Sequence, residues 1–375
     1  MNNKQFQNTV TSSNLGNVFR AIYLNGSLSR QEISEHLGLS LPTIRQSINE
    51  LLEMGIIYSN GFYDSTGGRK ASYLSISPSS RIAVGVELLR ESVQLSAIDL
   101  SGMIISEKKV LINFQNSEKY YQEFGQIVNE FVSSLNITPK SLLDINIAVQ
   151  GVLSKDGTII LIGNVLGNSG TSLLQFQKYI NYPCKLVNDA DAYAFSELWS
   201  RPDTSNAAYL MLNKILGGSI IINGRILQGT VLSSNSIGHM RLVHNGRLCY
   251  CGKKGCFQTY CSVNSLEEAS GMEIQLFMDQ VNSGNKHCQS IFDEYLSYLA
   301  FGINNIRMVL DCEFIIGGYL EKFLNDANLE LLAKKVKEEA SFDIMKFQYR
   351  RSVHGDKASS RGAAFIQINN FIISL

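Results

Sequence analysis

No stretch of this chain reaches the roughly 18 uninterrupted apolar residues that a membrane-spanning helix needs, so no membrane partner is expected. The first residues, MNNKQFQNTVTSSN, lack the apolar core of a secretory signal. Net charge is missing too, with 33 Lys and Arg against 33 Asp and Glu. A composition 45% hydrophobic and 18% charged excludes a disordered polyelectrolyte, while overall neutrality still permits one focused basic face. Seven cysteines, an odd number, argue against a disulfide framework and for a reducing compartment. A cytoplasmic protein is expected. At 375 residues the chain is too long for one small core, so two or three domains are expected.

Chemistry is concentrated in residues 238–262, GHMRLVHNGRLCYCGKKGCFQTYCS. Nine residues separate His239 from Cys249, which is followed by Cys251 and Cys256 in a Cys-x-Cys-x4-Cys knuckle. One imidazole and three thiolates form the soft, tetrahedral donor set of a closed structural zinc site. Gly252 and Gly255 supply the backbone freedom to wrap three thiolates around one ion. A histidine in a four-ligand set fits zinc better than an iron–sulfur cluster. Cys261 stands outside the pattern.

The same string resembles the signature of the ROK family (repressors, open reading frames and sugar kinases). That signature runs Glu-x-Gly-His, a spacer, then Cys-x-Cys-Gly-x2-Gly-Cys-x-Glu-x3-Ser. Gly238, His239, Cys249, Cys251, Gly252, Gly255, Cys256 and Ser262 match it. Ser236 and Gln258 stand where the family carries its two glutamates. The metal half is intact and the sugar-contacting half is altered.

Residues 14–57 read as three helices. Ser29 and Glu32 form a capping box that opens a short helix ending near Leu37. After the Gly38-Leu39-Ser40 turn, a longer helix is predicted over about 41–54, with Ser40 as its cap and Pro42 in the first turn. Leu41, Ile44, Ile48, Leu51 and Leu52 share one face at helical spacing. Thr43, Gln46 and Glu50 face the other way, flanked by Arg45, Ser47 and Asn49. That spacing fits a recognition helix in a major groove. Residues 55–58 and 71–76 read as wing strands. The glycine-rich tip between them carries Arg69 and Lys70 towards a minor groove or phosphates. Ser40, Thr43, Arg45, Gln46, Asn49, Arg69 and Lys70 are the expected DNA contacts. With six Lys and Arg against five Asp and Glu, residues 1–80 are nearly neutral, so a helical dimerisation module is the plain alternative.

From Ile82 onwards, strand-like runs (IAVGVELL, VQLSAIDL, MIISEKKVLI, DINIAVQG, AAYLMLN, GSIIING) alternate with helices predicted over 118–135, 295–310 and 328–340, an α/β pattern. The family resemblance covers almost the whole chain. It implies a winged helix-turn-helix over 1–80, then a two-lobed actin- and sugar-kinase-like domain over 81–375. Lobe one would span about 81–200 plus a C-terminal helix at 358–375, and lobe two about 201–357. It also implies a sugar pocket of Asn164, Asn188, Asp189, His239, Ser236 and Gln258. Asp189 would take the hydroxyl-binding place that serves as general base in the kinases. Gly151 and Gly163 stand where the family has proline-containing turns.

Phosphoryl transfer is not expected. Where the family kinases carry Asp-x-Gly-Gly-Thr, this chain has Gly85-Val-Glu-Leu-Leu-Arg-Glu91, bulky and acidic where anions would bind. The second loop, Asn213 to Gly218, keeps only its last glycines, and the Gly317-Gly318 pair is present. The leading expectation is a repressor of operator DNA, a homodimer or tetramer, with a structural Zn2+ and a sugar or sugar-phosphate effector. A ROK-type sugar kinase with a helical front, or a zinc-dependent scaffold, are the alternatives.

Overall fold

A computed structural model of the chain describes residues 13–62, 72–229, 236–342 and 346–375. The first helix, α1 (Asn14–Asn25), starts where the Ser13 hydroxyl accepts from the Gly16 N–H. Strand β1 (Ser27–Ser29) leads into α2 (Arg30–Leu37), and the expected capping box is there, with Ser29 and Glu32 each serving the other's backbone N–H. α3 (Leu41–Glu53) follows its Ser40 cap, with Pro42 in the first turn. Ile44, Ile48 and Leu51 are fully buried, as their spacing requires. Two residues differ from expectation: Leu41 is 56% exposed and Ser47 is buried. Helical periodicity assigns a face, but not how far along the helix the opposing core extends. Antiparallel β2 (Ile57–Phe62) and β3 (Ser72–Ile76) form the wing, and β1 adds a third strand to the far side of β3. The tip, with Arg69 and Lys70, lies outside the described residues.

Two sheets of identical layout build the body. The first holds β4 (Ile82–Leu88), β5 (Ser92–Asp99), β6 (Ile104–Leu111), β7 (Ile145–Val149) and β10 (Cys184–Asn188). Helix α4 (Glu118–Ser134) and α5 (Leu173–Gln177) belong with it, as does the small hairpin β8 (Val152–Leu153) and β9 (Ile160–Ile162). Its strand order is β6-β5-β4-β7-β10. The second sheet runs β13-β12-β11-β14-β15, from β11 (Ala207–Leu212), β12 (Leu216–Ile222), β13 (Arg225–Ile226), β14 (Glu313–Gly317) and β15 (Tyr349–Arg351). In both, an antiparallel meander is extended by parallel strands. Helices α7 (Gln258–Cys261), α8 (Val263–Ser270), α9 (Ile274–Asn282), α10 (Lys286–Arg307) and α11 (Asp326–Glu338) pack around the second sheet. α10 starts well before the expected Tyr295, because Asn285 caps it and its polar first turns still bury Cys288 and Phe292.

Between the sheets lie α6 (Asp189–Ser200) and the C-terminal α12 (Ala358–Ser374). They cross at Gly362, where any Cβ would collide with the Ala192 carbonyl. The front module is distinct in topology but not in packing. Val18, Phe19 and Ile22 of α1 share one core with Ala83, Ile98, Phe365, Ile368 and Ile372 of the body. Tyr23 meets Trp199 edge-on, and Trp199 stacks on Phe365 at 4.8 Å. The Ser13 hydroxyl also donates to the Leu375 carbonyl at 2.6 Å. Phe19→Ala therefore removes about 3–5 kcal/mol from a core common to both parts. In urea the module and body are expected to lose structure in one transition; an early, separate melting of the module would contradict the shared core.

Candidate functional site

A cleft of about 1430 Å³ opens between the two sheets. Asn164, Asn188, Asp189, Ser236 and His239 all line it, together with Tyr250, Trp199 and Asn369. Asn188 and Asp189 are delivered by the end of β10 and the start of α6. β10 ends in Asn188, which caps α6 by accepting from the Asp191 N–H and donates to the Gly151 carbonyl at 2.8 Å. Asn188 thus helps to hold the cleft floor together. Gly151 sits at φ +121°, where a side chain would strike the Ile162 carbonyl, which explains glycine there. Asp189, in the first turn of α6, is buried, and burial pushes its carboxyl up to about 7.

Gln258 is a correction. It is buried, absent from the cleft wall, and donates through Nε2 to Cys249 Sγ at 3.2 Å. A neutral amide can donate to a cysteine sulfur where a glutamate carboxylate could not.

His239, Cys249, Cys251 and Cys256 come together, with all ligand atoms within 4.8 Å of one another. Cys251 Sγ and Cys256 Sγ are 3.7 Å apart, and His239 Nδ1 is 3.7 Å from Cys249 Sγ. Zinc–sulfur bonds of about 2.3 Å in a tetrahedron imply S···S edges near ~3.8 Å, so the cluster suits one tetrahedral ion. The knuckle is shaped by a Lys253 carbonyl that accepts from the Cys249 N–H and by Gly255 at φ +82°, pressed against the Val243 carbonyl. Tyr250, between two of the cysteines, went unnoticed in the sequence. Its hydroxyl lies 3.0 Å from His239 Nε2. Its only sequence signal is an aromatic residue at the x of Cys-x-Cys.

On the other side of the cleft, β4 runs straight through the position of the first phosphate loop. Glu87 is 1% exposed, and burial and the charge of Asp189 push its carboxyl up to about 8. The Tyr193 hydroxyl donates to it at 3.4 Å, and Asn213 Nδ2 reaches that hydroxyl at 3.5 Å. Asn213 Oδ1 in turn accepts from the Tyr319 N–H at 2.6 Å, beside Gly318. A polar chain therefore ties together the three segments that would hold a nucleotide.

In the front module, Arg45, Gln46 and Asn49 are exposed along one side of α3. Ser40 and Thr43 are joined by their hydroxyls at 2.9 Å and serve the cap. Among the described residues, no helix is long and apolar enough to cross a membrane.

Two sheets of one topology with paired helices between them, fronted by a winged helix-turn-helix, define a two-lobed kinase-like body joined to a DNA-binding fold. The ROK family model matches residues 83–370, and this chain belongs to that family. A winged helix-turn-helix DNA-binding model matches residues 14–58. Among curated proteins the chain is similar to a xylose repressor of Caldicellulosiruptor bescii, 23% identical over 346 residues, covering 86% of this chain and 87% of that protein. It is also similar to an N-acetylglucosamine repressor of Escherichia coli O157:H7, 24% identical over 262 residues, covering 69% and 64%. Among solved structures, a ROK family transcriptional regulator homologous to the E. coli MLC protein aligns with a TM-score of 0.79 at 18% identity, covering 96% and 98%. A ROK family glucokinase from Streptomyces griseus, in complex with glucose and AMPPNP, aligns at 0.66 and 20%, covering 77% and 99%.

Proposed function

We propose that this protein is a sugar-responsive transcriptional repressor that binds operator DNA as a homodimer or tetramer and has no kinase activity. The observation that carries the reading is the shared core. α6 begins with Asp189 in the cleft and ends with Trp199 against Tyr23 of the DNA-binding module, so one rigid helix touches both sites. Relatives named as sugar repressors support the same reading. DNA contacts are assigned to Ser40, Thr43, Arg45, Gln46 and Asn49, with Arg69 and Lys70 on the wing, and a chain that binds DNA works in the cytoplasm. Module boundaries near residue 80 and a C-terminal helix returning to lobe one complete the proposed organisation.

Four protein ligands and no open position support a structural zinc held by His239, Cys249, Cys251 and Cys256. The ion would fix the knuckle and orient His239 at the cleft wall; no reaction is assigned to it. Absence of phosphoryl transfer is supported by β4, where the buried Glu87 and its bulky neighbours Leu88 and Leu89 stand in place of a glycine loop whose backbone N–H groups could hold an anion. ATP turnover with D-glucose or D-xylose is expected to be undetectable, and measurable ADP release would favour the kinase alternative.

Two variants test the rest. Gln46→Ala should relax base preference at one or two positions, costing about 1–3 kcal/mol against a site selected from random duplexes. Asp189→Ala should bind that DNA yet ignore sugar, because an effector acts only through its difference in affinity for the free and DNA-bound forms. Since an ionised Asp189 accepts more strongly from a sugar hydroxyl than the neutral acid does, sugar affinity should rise with pH through about 7. Unchanged sugar affinity in Asp189→Ala would move the sensing site elsewhere.

A further inference from the structure

The cleft does not end at Asp189. Its wall continues along one face of α6, where Asp191, Phe195 and Leu198 follow at helical spacing with Trp199 beside them. Trp199 lies about 15 Å along the helix from Asp189, beyond the reach of a monosaccharide held there. The volume of about 1430 Å³ also exceeds the roughly 300–1,000 Å³ of an ordinary small-ligand site. A second molecule has room.

The far end has its own chemistry. Opposite α6, the C-terminal half of α12 contributes Ile366, Asn369 and Asn370 to the wall. Phe365 stacks on Trp199 with the rings 16° from parallel, and Asn369 stands one helical turn further along the same side of α12. Beyond Asp191, neither α6 nor α12 lines this end with a charged side chain, and Arg225 on β13 is already engaged. Neither the half-buried Asn369 amide nor the exposed Asn370 amide has a partner among the described residues. Two neighbouring amides suit a group that both donates and accepts. A primary carboxamide does both without charge, and it can hang from a flat ring packed against Phe195 and Trp199. A carboxylate there would be partly desolvated with no free cation to meet it.

We propose that the far end of the cleft is a second ligand site, for an uncharged aromatic carboxamide, and that it bears on the DNA-binding module through Trp199. The indole meets Tyr23 of α1 edge-on, so a ring inserted against it pushes on a contact that seats the module. Sugar binding at Asp189 is not required for this site, which stands or falls without it.

Trp199 is the sole tryptophan of the chain, so its fluorescence reports on this place alone. The full chain, free of sugar, is titrated with benzamide, and with benzoate as the charged counterpart of the same shape. Benzamide should give a saturable change in emission, and benzoate should bind at least tenfold more weakly. The double variant Asn369→Ala with Asn370→Ala should bind benzamide at least tenfold more weakly at an unchanged melting temperature. Asp189→Ala should bind it as the wild type does. At saturating benzamide, affinity for the selected DNA duplex should change at least threefold. No saturable change, equal binding of benzoate, or undiminished binding in the double variant would each overturn the site. Loss of benzamide in Asp189→Ala would make the far end part of the first site and overturn the second. Saturable binding with unaltered DNA affinity would overturn the link to the module.

Discussion

Cys256→Ser is expected to abolish zinc binding at the proposed centre and to destabilise the second lobe strongly. Cys256 is 1% exposed, and its backbone bridges to Arg241 while its thiol meets Cys251. Loss of one ligand leaves two cysteines and an imidazole that no longer complete a tetrahedral donor set. Structural zinc in small domains contributes on the order of 10 kcal/mol of folding free energy, so a loss above about 4 kcal/mol is expected here. In a body of this size that corresponds to a melting temperature lower by roughly 10 °C. Metal analysis by atomic emission together with calorimetry checks both. Cys261→Ser is the control, because Cys261 Sγ faces the Tyr295 carbonyl at 3.9 Å, not the metal ligands. Full zinc occupancy in Cys256→Ser would remove the proposed centre.

Glu87→Gln should make the protein more stable at pH 8 and leave it nearly unchanged at pH 4. The folded carboxyl titrates at about 8 instead of its ordinary 4.5, because burial and Asp189 disfavour its charge. Below 4.5 both folded and unfolded chains hold the proton, so no penalty exists. Between 4.5 and 8 the unfolded chain releases it and the folded chain does not. The folded state then binds more protons, and stability falls as pH rises. Above 8 the penalty is constant. Glutamine carries no such proton and can still accept from Tyr193, so a gain of about a few kcal/mol is expected at pH 8. Urea unfolding at the two pH values measures it. An equal effect at both would mean Glu87 is not the buried acid the packing implies.

An opposite slope is expected at low pH. Glu107 is held down to about 2, because hydrogen bonds from Arg361 and Lys357 outweigh its burial. Its contribution is complete above about 4.5 and fades as pH falls towards 2, loosening β6 from α12.

Local order carried much of this in the sequence. A capping box needs only Ser29 and Glu32 three residues apart, and it formed as the spacing demands. The metal knuckle is similarly short-range, since three of its four ligands lie within eight residues and the glycines between them dictate the turns. That Glu87 and leucines replace a glycine loop in β4 was equally visible, because it depends on residue identity alone.

Other features depended on partners distant in the chain. Leu41 has the spacing of a core residue, yet the core ends before reaching it. Gln258 kept its family position but turned towards Cys249, a choice made by the donor nature of an amide and the thiolate beside it. Tyr250 acquired a partner only when the knuckle folded back on His239. The front module read as an independent unit because its helices and wing are contiguous in sequence. Its union with the body needed α12, more than 300 residues away, to bring Phe365, Ile368 and Ile372 against α1. By itself the sequence determined the helix caps, the close spacing of the three knuckle cysteines and the α/β alternation, since each is set by side chains acting on near neighbours. Tertiary structure alone decided which buried acid faces which, where the outward imidazole nitrogen points, and that α6 and α12 of the body share one core with the winged-helix module. Those depend on long-range packing and burial, which no local pattern encodes.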